Sequence, residues 1–336
     1  SGFKNQDQNL FYQFFVSNLP VYDYHTMYKL WWSRNREGKS DVCWPGELKY
    51  YALSSGTSDA SSKYIPITKE MLKSMNKASL RQLLTLSKYD IDSKYYQTDF
   101  LMIGGSTDLH FNGLSFEGDL SGITTSQIPF WFQRFYKPGI RISKAKDWDE
   151  KLNEMVLHAR DWDVGVLVGV PAWIQLLLEQ ILSHYQAKHI HEIWPNLKIF
   201  VHGGVSFKPH KEGFEKLLGS PIYYMETYLA SEGFIAYQDK PNHPSMKLLL
   251  NNGIFFEFIP FNETNFDQEG NLKENPTTLK IDQVVKAVDY AILLTTNAGA
   301  WRYLIGDVVA FTDVDEAEIV IKGRTKHFLN LCGEHL

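Results

Sequence analysis

The sequence predicts an α/β fold: parallel sheets flanked by helices, followed by a small antiparallel β part. Residues 164–170, 197–201 and 222–225 are short apolar segments separated by helical patterns. Strands that alternate with helices favour a parallel sheet covered on both faces. After about residue 250, apolar segments recur with no long helix between them, which is typical of an antiparallel sheet or a small barrel.

Composition excludes several classes of protein. The 336 residues are 44% hydrophobic and 22% charged, as expected for a folded globular chain, and no apolar run approaches the ~18 residues of a membrane span. The net charge of −5 gives no basic field for nucleic acid. Cys43 and Cys332 form no zinc or redox motif, and no signal-peptide pattern precedes them. We therefore expect a cytoplasmic protein that binds neither nucleic acid nor a membrane.

The amino-terminal half predicts helices and one short strand. Residues 9–34 are helical in pattern, with a break near Pro20. Residues 69–87 predict an amphipathic helix with Thr68 as N-cap and an apolar face made of Met71, Leu72, Met75, Leu83 and Leu84. Residues 101–105 predict a strand that ends in Gly-Gly-Ser, and residues 148–160 a helix whose charged face we expect in solvent.

The remaining elements follow from local signals. Pro171 marks the start of a helix that continues over 173–184, and residues 211–218 predict a shorter one. Strands are predicted at 254–259, 290–295, 307–311 and 318–321, with a loop at 262–276.

The segment between residues 54 and 63 is the clearest candidate for a ligand site. Its small residues allow backbone N–H groups to approach an anion, its hydroxyls add donors, and Lys63 adds a positive charge. Gly56 has no partner glycine before Lys63, so the segment is not a G-x-x-x-x-G-K-[ST] loop. It is either a triphosphate-binding loop of another kind or a surface linker.

Three further segments carry candidate residues, and two of them follow predicted strands of the parallel sheet, where ligands of such sheets bind. Gly203 and Gly204 allow the backbone to lie against a planar ring, although a plain turn would also use them. Residues 226–233 offer the Tyr228 ring for stacking, hydroxyls, and the Glu232 carboxylate for a hard cation. Asp307 begins a predicted strand, and a carboxylate there can accept from both hydroxyls of a ribose.

The order of these segments resembles the acyl-adenylate-forming superfamily, and more closely the auxin-responsive acyl-acid amido synthetases, including their bacterial relatives. The strings that carry the resemblance are DVCWPGELKYYALSSGTSDASSKYIPIT, TYLASEG, LLTTNAGAWRYLIGDVV and GRTKHFLNLCGEHL. The resemblance extends over nearly the whole chain. It implies the large amino-terminal domain of such an enzyme.

The resemblance implies an ATP site and a magnesium site. Lys63, Glu232 and Arg324 would be catalytic, and Glu232 would also hold Mg²⁺. The residues implied to bind ATP are Ser54, Ser55, Gly56, Thr57, Ser58, Lys63, Gly203, Gly204, Val205, Thr227, Tyr228, Ser231, Glu232, Asp307 and Arg324. The implied acyl pocket includes Val170, Trp173 and Ile174, together with residues from 109–128.

The resemblance also implies how the chain divides. Residues 1–250 would form α/β sub-domains, 251–322 an antiparallel β sub-domain, and 323–336 a hinge to a carboxy-terminal domain that this chain lacks. The chain departs from the family at Ala60, where Gly is usual, at Ser62, where Pro is usual, and at Leu229 and Leu304, where a small residue and Arg are common.

The implied reaction is ATP- and Mg²⁺-dependent activation of a small carboxylic acid as an acyl-adenylate. The acyl group would then pass to an amine, usually that of an amino acid, to form an amide. Two alternatives remain open at this point. One is transfer to coenzyme A instead of an amine, and the other is a nucleotide- or acid-binding protein without turnover.

Overall fold

The computed structural model describes residues 2–54 and 62–328. Its α-helices are α1 (Gly2–Asn18), α2 (Tyr24–Met27), α3 (Ser33–Arg36), α4 (Lys69–Thr85), α5 (Leu120–Ser126), α6 (Gly139–Ser143), α7 (Trp148–Leu157), α8 (Pro171–Tyr185), α9 (Lys208–Glu215) and α10 (Thr325–Phe328). A π-helical segment covers Tyr28–Trp32, and 3₁₀ turns cover Leu86–Lys88, Ser93–Gln97, Ala159–Asp161, Ile190–Glu192 and Ile281–Gln283.

The strands are β1 (Tyr50–Ser54), β2 (Lys63–Ile67), β3 (Asp99–Met102), β4 (His110–Phe111), β5 (Phe116–Gly118), β6 (Tyr136–Lys137), β7 (Val164–Gly169), β8 (Ile199–Gly203), β9 (Tyr223–Ala230), β10 (Gly233–Tyr237), β11 (Met246–Leu248), β12 (Ile254–Pro260), β13 (Asp289–Thr296), β14 (Tyr303–Asp313) and β15 (Glu318–Arg324).

The chain folds as two compact units. Leu48–Asn252 form one, called here the α/β unit. The described residues up to Glu47 join those from Gly253 onward to form the other, called here the β unit.

The α/β unit contains two sheets. The larger has the strand order β11-β10-β9-β8-β7-β3-β6, in which the five strands from β9 to β6 are parallel to one another, whereas β10 is antiparallel to both β9 and β11. The smaller has the order β2-β1-β5-β4. One apolar core contains Leu167 of β7, Leu177 of α8 and Trp194, and a second contains Val166, Ile199 and Met225. The parallel sheet with buried faces confirms the α/β prediction.

The β unit contains the antiparallel sheet β12-β13-β14-β15, each strand pairing with the next. The sequence predicted an antiparallel sheet or a small barrel after residue 250, and the structure has the antiparallel sheet.

Local signals placed several helices well. The Thr68 hydroxyl accepts from the Met71 N–H and caps α4, and Pro171 is the first residue of α8. The break near Pro20 is also present, since α1 ends at Asn18. These boundaries depend on neighbouring residues only, which is why sequence alone locates them.

Two predictions about exposure were wrong. Leu84 is 61% exposed, because it lies on the opposite side of α4 from Met71. Lys151 on α7 is buried, and its Nζ donates to the carbonyl oxygens of Gly104 (2.7 Å) and Gly105 (3.3 Å). The ammonium thus holds the chain where it leaves β3, so this part of the charged helix face is not solvated.

A buried ion pair organises the β unit. Arg302 Nε lies 3.0 Å from Glu257 Oε2, and the two side chains are 4% and 1% exposed. Arg302 also donates to Thr278 Oγ1 (3.0 Å) and to the Leu19 carbonyl oxygen just past α1 (2.6 Å). The guanidinium therefore ties α1 to the sheet immediately before β14.

Replacement of Arg302 by Met is expected to lower the free energy of unfolding by about 3–5 kcal/mol, because it leaves the Glu257 carboxylate buried without its partner. Urea denaturation measures the effect. Arg141→Met is the control, since Arg141 pairs with Glu154 at the surface and an exposed pair contributes only about 0–1 kcal/mol.

The double variant Arg302→Met with Glu257→Leu separates charge burial from packing. We expect it to be more stable than Arg302→Met alone, because it removes the unpaired carboxylate. Equal losses in the Arg302→Met and Arg141→Met variants would contradict this account of the pair.

Candidate functional site

The carboxyl end of β8 lies against the middle of β9 in the α/β unit, and the backbone of Gly203 and Gly204 at this point is called here the ledge. Gly203 ends β8 and lies in register with Thr227 of the parallel strand β9. A Cβ atom on Gly203 would come within 2.3 Å of the Thr227 carbonyl oxygen, so only glycine fits. Gly204 follows with φ +82°, a conformation that favours glycine. The two glycines that the sequence predicted to allow close approach to a planar ring are therefore required by the backbone itself.

Thr227 is held from a second side by α4. Gln82 Nε2 donates to Thr227 Oγ1 at 2.7 Å. The helix that the sequence placed by its N-cap therefore fixes the orientation of a predicted ATP-binding hydroxyl.

The segment from Thr227 to Glu232 belongs to a hairpin. We expected the strand to end at Met225, but β9 continues to Ala230 and turns into β10, with Tyr228 paired to Ala236. Gly233 starts β10 with φ +154°. Tyr228 and Glu232 are 6% and 7% exposed, whereas the neighbouring Leu229 is 39% exposed. The predicted stacking ring and the predicted magnesium ligand thus come from one buried hairpin end.

The predicted phosphate loop connects β1 to β2. Ser54 ends β1 and lies opposite Lys63, the first residue of β2. This pairing places the Lys63 backbone at the base of the connection. Ser55, Gly56, Thr57, Ser58 and Ala60 lie outside the described residues.

The predicted acyl-pocket residues differ in burial. Val170 is half-buried and lies beside Gly204, with its Cγ2 3.7 Å from where a Cβ on that glycine would stand. Trp173 is 40% exposed and packs against the Trp148 ring, with centroids 5.1 Å apart. Ile174 is fully buried in the core. Val170 and Trp173 are therefore the members of this set that present surface.

Asp307 and Arg324 form a cross-strand pair in the β unit. They are in register between β14 and β15, and Arg324 Nε donates to Asp307 Oδ1 at 2.9 Å. The Asp307 side chain is 16% exposed and that of Arg324 is 40% exposed. The structure thus brings together two predicted site residues that are 17 positions apart in the sequence.

Sequence reasoning missed two polar residues next to the ledge. His202 precedes Gly203 on β8, is 6% exposed, and lies in register with Glu226 of β9. Burial lowers the pKa of His202 to about 4, so the imidazole is neutral near pH 7. Burial also raises the pKa of the Glu226 carboxyl, against the opposing charge of Lys208. A histidine directly before Gly-Gly at a strand end was the signal available.

Within residues 2–54 and 62–328, no group of three or more His, Cys, Asp and Glu side chains is arranged to hold a metal ion. Magnesium at nucleotide sites is held by one or two carboxylates together with phosphate oxygens and water, so a single carboxylate such as Glu232 is compatible with it. No helix in this part of the chain is long and apolar enough to cross a membrane.

Two family profiles match the chain. The profile of the GH3 family N-terminal domain matches residues 2–159, and that of the GH3 family central domain matches residues 247–321. Together they cover well over half of the chain, in the order expected for one protein.

Curated relatives carry enzyme names. A jasmonoyl–L-amino acid synthetase, GH3.5 of Oryza sativa subsp. japonica, is 29% identical over 35% of this chain and 22% of its own length. An indole-3-acetic acid-amido synthetase, GH3.4 of Arabidopsis thaliana, is 30% identical over 37% of this chain and 21% of its own length. The matches thus span about a fifth of these relatives.

The fold is shared with a solved structure. The chain aligns with the GH3.15 acyl acid amido synthetase over 94% of its own length and 62% of that chain, with a TM-score of 0.74 and 17% identity. At this identity the match shows that the fold is the same, which confirms the predicted architecture.

Replacement of Gly203 by Ala is expected to lower the free energy of unfolding by about 1–3 kcal/mol, because its Cβ would collide with the backbone oxygen of Thr227. Gly213→Ala in α9 is the control. The atom nearest to a Cβ there is the Gln175 side-chain amide at 3.1 Å, which can move, and Ala favours a helix by about 0.5–1 kcal/mol. Urea denaturation of both variants decides; a Gly203→Ala protein as stable as Gly213→Ala would contradict the close approach.

Proposed function

Because this chain belongs to the GH3 family, we propose that it activates a small carboxylic acid with ATP and transfers the acyl group to an amine, such as that of an amino acid. The observation that carries the proposal is the match of two GH3 domain profiles to a chain whose relatives are named amido synthetases. We further propose a bacterial-type member of the acyl-adenylate-forming superfamily, acting in the cytoplasm, on the motif strings given above.

The chemistry explains why ATP is needed. A carboxylate is a poor acyl donor, because its leaving group would be oxide. Attack of the carboxylate on the α-phosphate forms the acyl-adenylate and releases pyrophosphate, and AMP is then displaced by the amine. The protein must hold two anions together and align the attack.

Residues of the α/β unit support the nucleotide assignment. Gly203, Gly204 and Val205 offer a flat backbone ledge for adenine, with Thr227, Tyr228 and Ser231 on the adjoining hairpin. Ser54 and Lys63 flank the connection that carries Ser55, Gly56, Thr57 and Ser58, which we assign to the β- and γ-phosphates. Glu232 would hold Mg²⁺, which supplies charge neutralisation of the phosphates when bound.

In the β unit, we assign Asp307 to the ribose hydroxyls and Arg324 to the orientation of its carboxylate. The 2.9 Å contact between Arg324 Nε and Asp307 Oδ1 supports this, because it fixes the rotamer of the acid. Val170 and Trp173 are our candidates for the wall of the acid pocket, with Ile174 behind them in the core.

The function is tested by ATP–pyrophosphate exchange with a panel of carboxylic acids, followed by product analysis with amino acids, coenzyme A and hydroxylamine. The assay uses the complete gene product, because the reaction proposed is that of the whole protein. Amide formation supports the proposal and thioester formation would replace it. ATP binding without exchange for any acid would instead support a binding protein.

Asp307→Asn is expected to reduce kcat/KM for pyrophosphate exchange by roughly 100-fold or more. A hydrogen bond to a charged group contributes about 1.5–3 kcal/mol, and the carboxylate would accept two from the ribose. Asp289→Asn, on β13 of the same sheet, is the matched control and should retain exchange. An Asp307→Asn enzyme with the wild-type rate would remove the ribose assignment.

Glu232→Gln is expected to raise the Mg²⁺ concentration required for half-maximal exchange, because it exchanges a carboxylate ligand for a neutral amide of the same shape. A magnesium titration of the exchange rate measures this. Glu215→Gln on α9 should leave the titration unchanged. If both variants give the wild-type curve, Glu232 is not a magnesium ligand.

A further inference from the structure

His202 lies beside Phe200 on one face of β8, and Phe200 packs in the same core as Ile174 of α8, which the proposed function places behind the acid wall. His202 also directly precedes Gly203 and Gly204, the backbone that we assign to adenine. Val170 is our candidate for the wall of the acid pocket, and its Cγ2 lies 3.7 Å from where a Cβ on Gly204 would stand. On these assignments, the end of β8 would contact the nucleotide through its backbone and the acid through the His202 side chain.

The His202 imidazole is buried without a partner for one nitrogen. Its Nδ1 has no hydrogen-bond partner, and the residue is 6% exposed. Its ring packs against Phe207 and Phe200, with centroid distances of 4.7 and 5.4 Å. A buried polar atom without a partner is costly and uncommon in folded proteins, and it calls for an explanation by a ligand or by an ordered water.

The surroundings restrict what such a partner can be. Phe207 and Phe200 supply apolar walls, and Glu226 is the neighbouring acid in register on β9. A second carboxylate on the substrate would be repelled by Glu226 and would have to lose its water shell. A neutral hydroxyl avoids both costs, and it can donate to or accept from Nδ1 whichever tautomer the imidazole adopts.

We propose that His202 is a specificity-determining residue that selects carboxylic acids bearing a hydroxyl group away from the carboxylate. The inference rests on the proposed acid activation and names the substrate class of that site. Binding pockets for small acids are mostly apolar with a few placed polar groups, and His202 is such a group here. A pocket built to hydrogen-bond a hydroxyl discriminates strongly against an analogue that lacks it, because the polar group of the protein is then left unpaired.

The test compares matched acids on the complete gene product. The pairs are hexanoic acid with 6-hydroxyhexanoic acid, and 3-phenylpropanoic acid with its ring-hydroxylated analogues. Pyrophosphate exchange gives kcat/KM for each acid, and calorimetry gives its Kd independently of turnover. We expect at least one hydroxylated acid to be preferred by about tenfold or more.

Variants of His202 then assign the preference. His202→Leu should bring the ratio of kcat/KM within the preferred pair close to one, and His202→Gln should retain part of it, since the amide can also donate and accept. His158→Leu is the control, because His158 is an exposed histidine paired with Asp161 and should leave the ratio unchanged. The Gln variant also keeps the test decisive if the Leu variant folds poorly.

Each result has one meaning. A wild-type enzyme without a hydroxyl preference, or a His202→Leu enzyme that keeps one, overturns the inference. Absence of exchange for every acid, combined with a hydroxyl preference in Kd that His202→Leu removes, overturns the proposed function and supports the role of His202 in binding. If the protein shows no exchange and binds no acid, both the proposed function and the role of His202 are overturned.

Discussion

The parallel pairing of β8 with β9 is the constraint on which the candidate site of the α/β unit depends. With Gly203 opposite Thr227, the two backbones approach so closely that no Cβ fits between them. Gln82 of α4 then fixes the Thr227 hydroxyl from the other face. Because the ledge is made of backbone, its shape is set by the register of the strands, and side chains around it are able to vary without moving it.

In the β unit, stability and proposed function are placed on the same strand. Arg302, at φ +42°, directly precedes β14. Its guanidinium pairs with the buried Glu257 carboxylate and donates a hydrogen bond to the carbonyl oxygen of Leu19. Asp307 follows on that strand and pairs with Arg324. One arginine thus anchors the beginning of the strand, and the other orients the acid that we assign to ribose. The Arg302 side chain is buried, as expected for a structural role, and the Arg324 side chain is partly exposed, as expected for a role in binding.

The sequence predicted what depends on near neighbours. Thr68 and Pro171 located two helices, and the alternation of strands and helices located the parallel sheet. Lys151 and Tyr228 show why the rest was not predictable. The charged pattern of α7 is that of a solvated face, but Lys151 is buried by the Gly104–Gly105 turn, which lies far away in sequence. Tyr228 extends a strand that was expected to end at Met225, because the pairing partner β10 comes later in the chain. Burial and pairing between distant segments are not encoded in local periodicity.

Under the proposed assignments, the end of β8 serves two ligands with different requirements. Every nucleotide of a given kind presents the same planar base, so a ledge of glycine backbone suffices and need not change between substrates. Acids differ in their substituents, and recognition of a substituent needs a side chain with a defined polar atom. We assign this role to His202, one residue before the ledge, and its burial beside Phe200 and Phe207 keeps its imidazole neutral. A neutral, rigidly packed imidazole can hydrogen-bond a substituent without attracting a charged phosphate group. This division would allow the acid preference to change through residue 202 while the backbone that we assign to ATP stays in place.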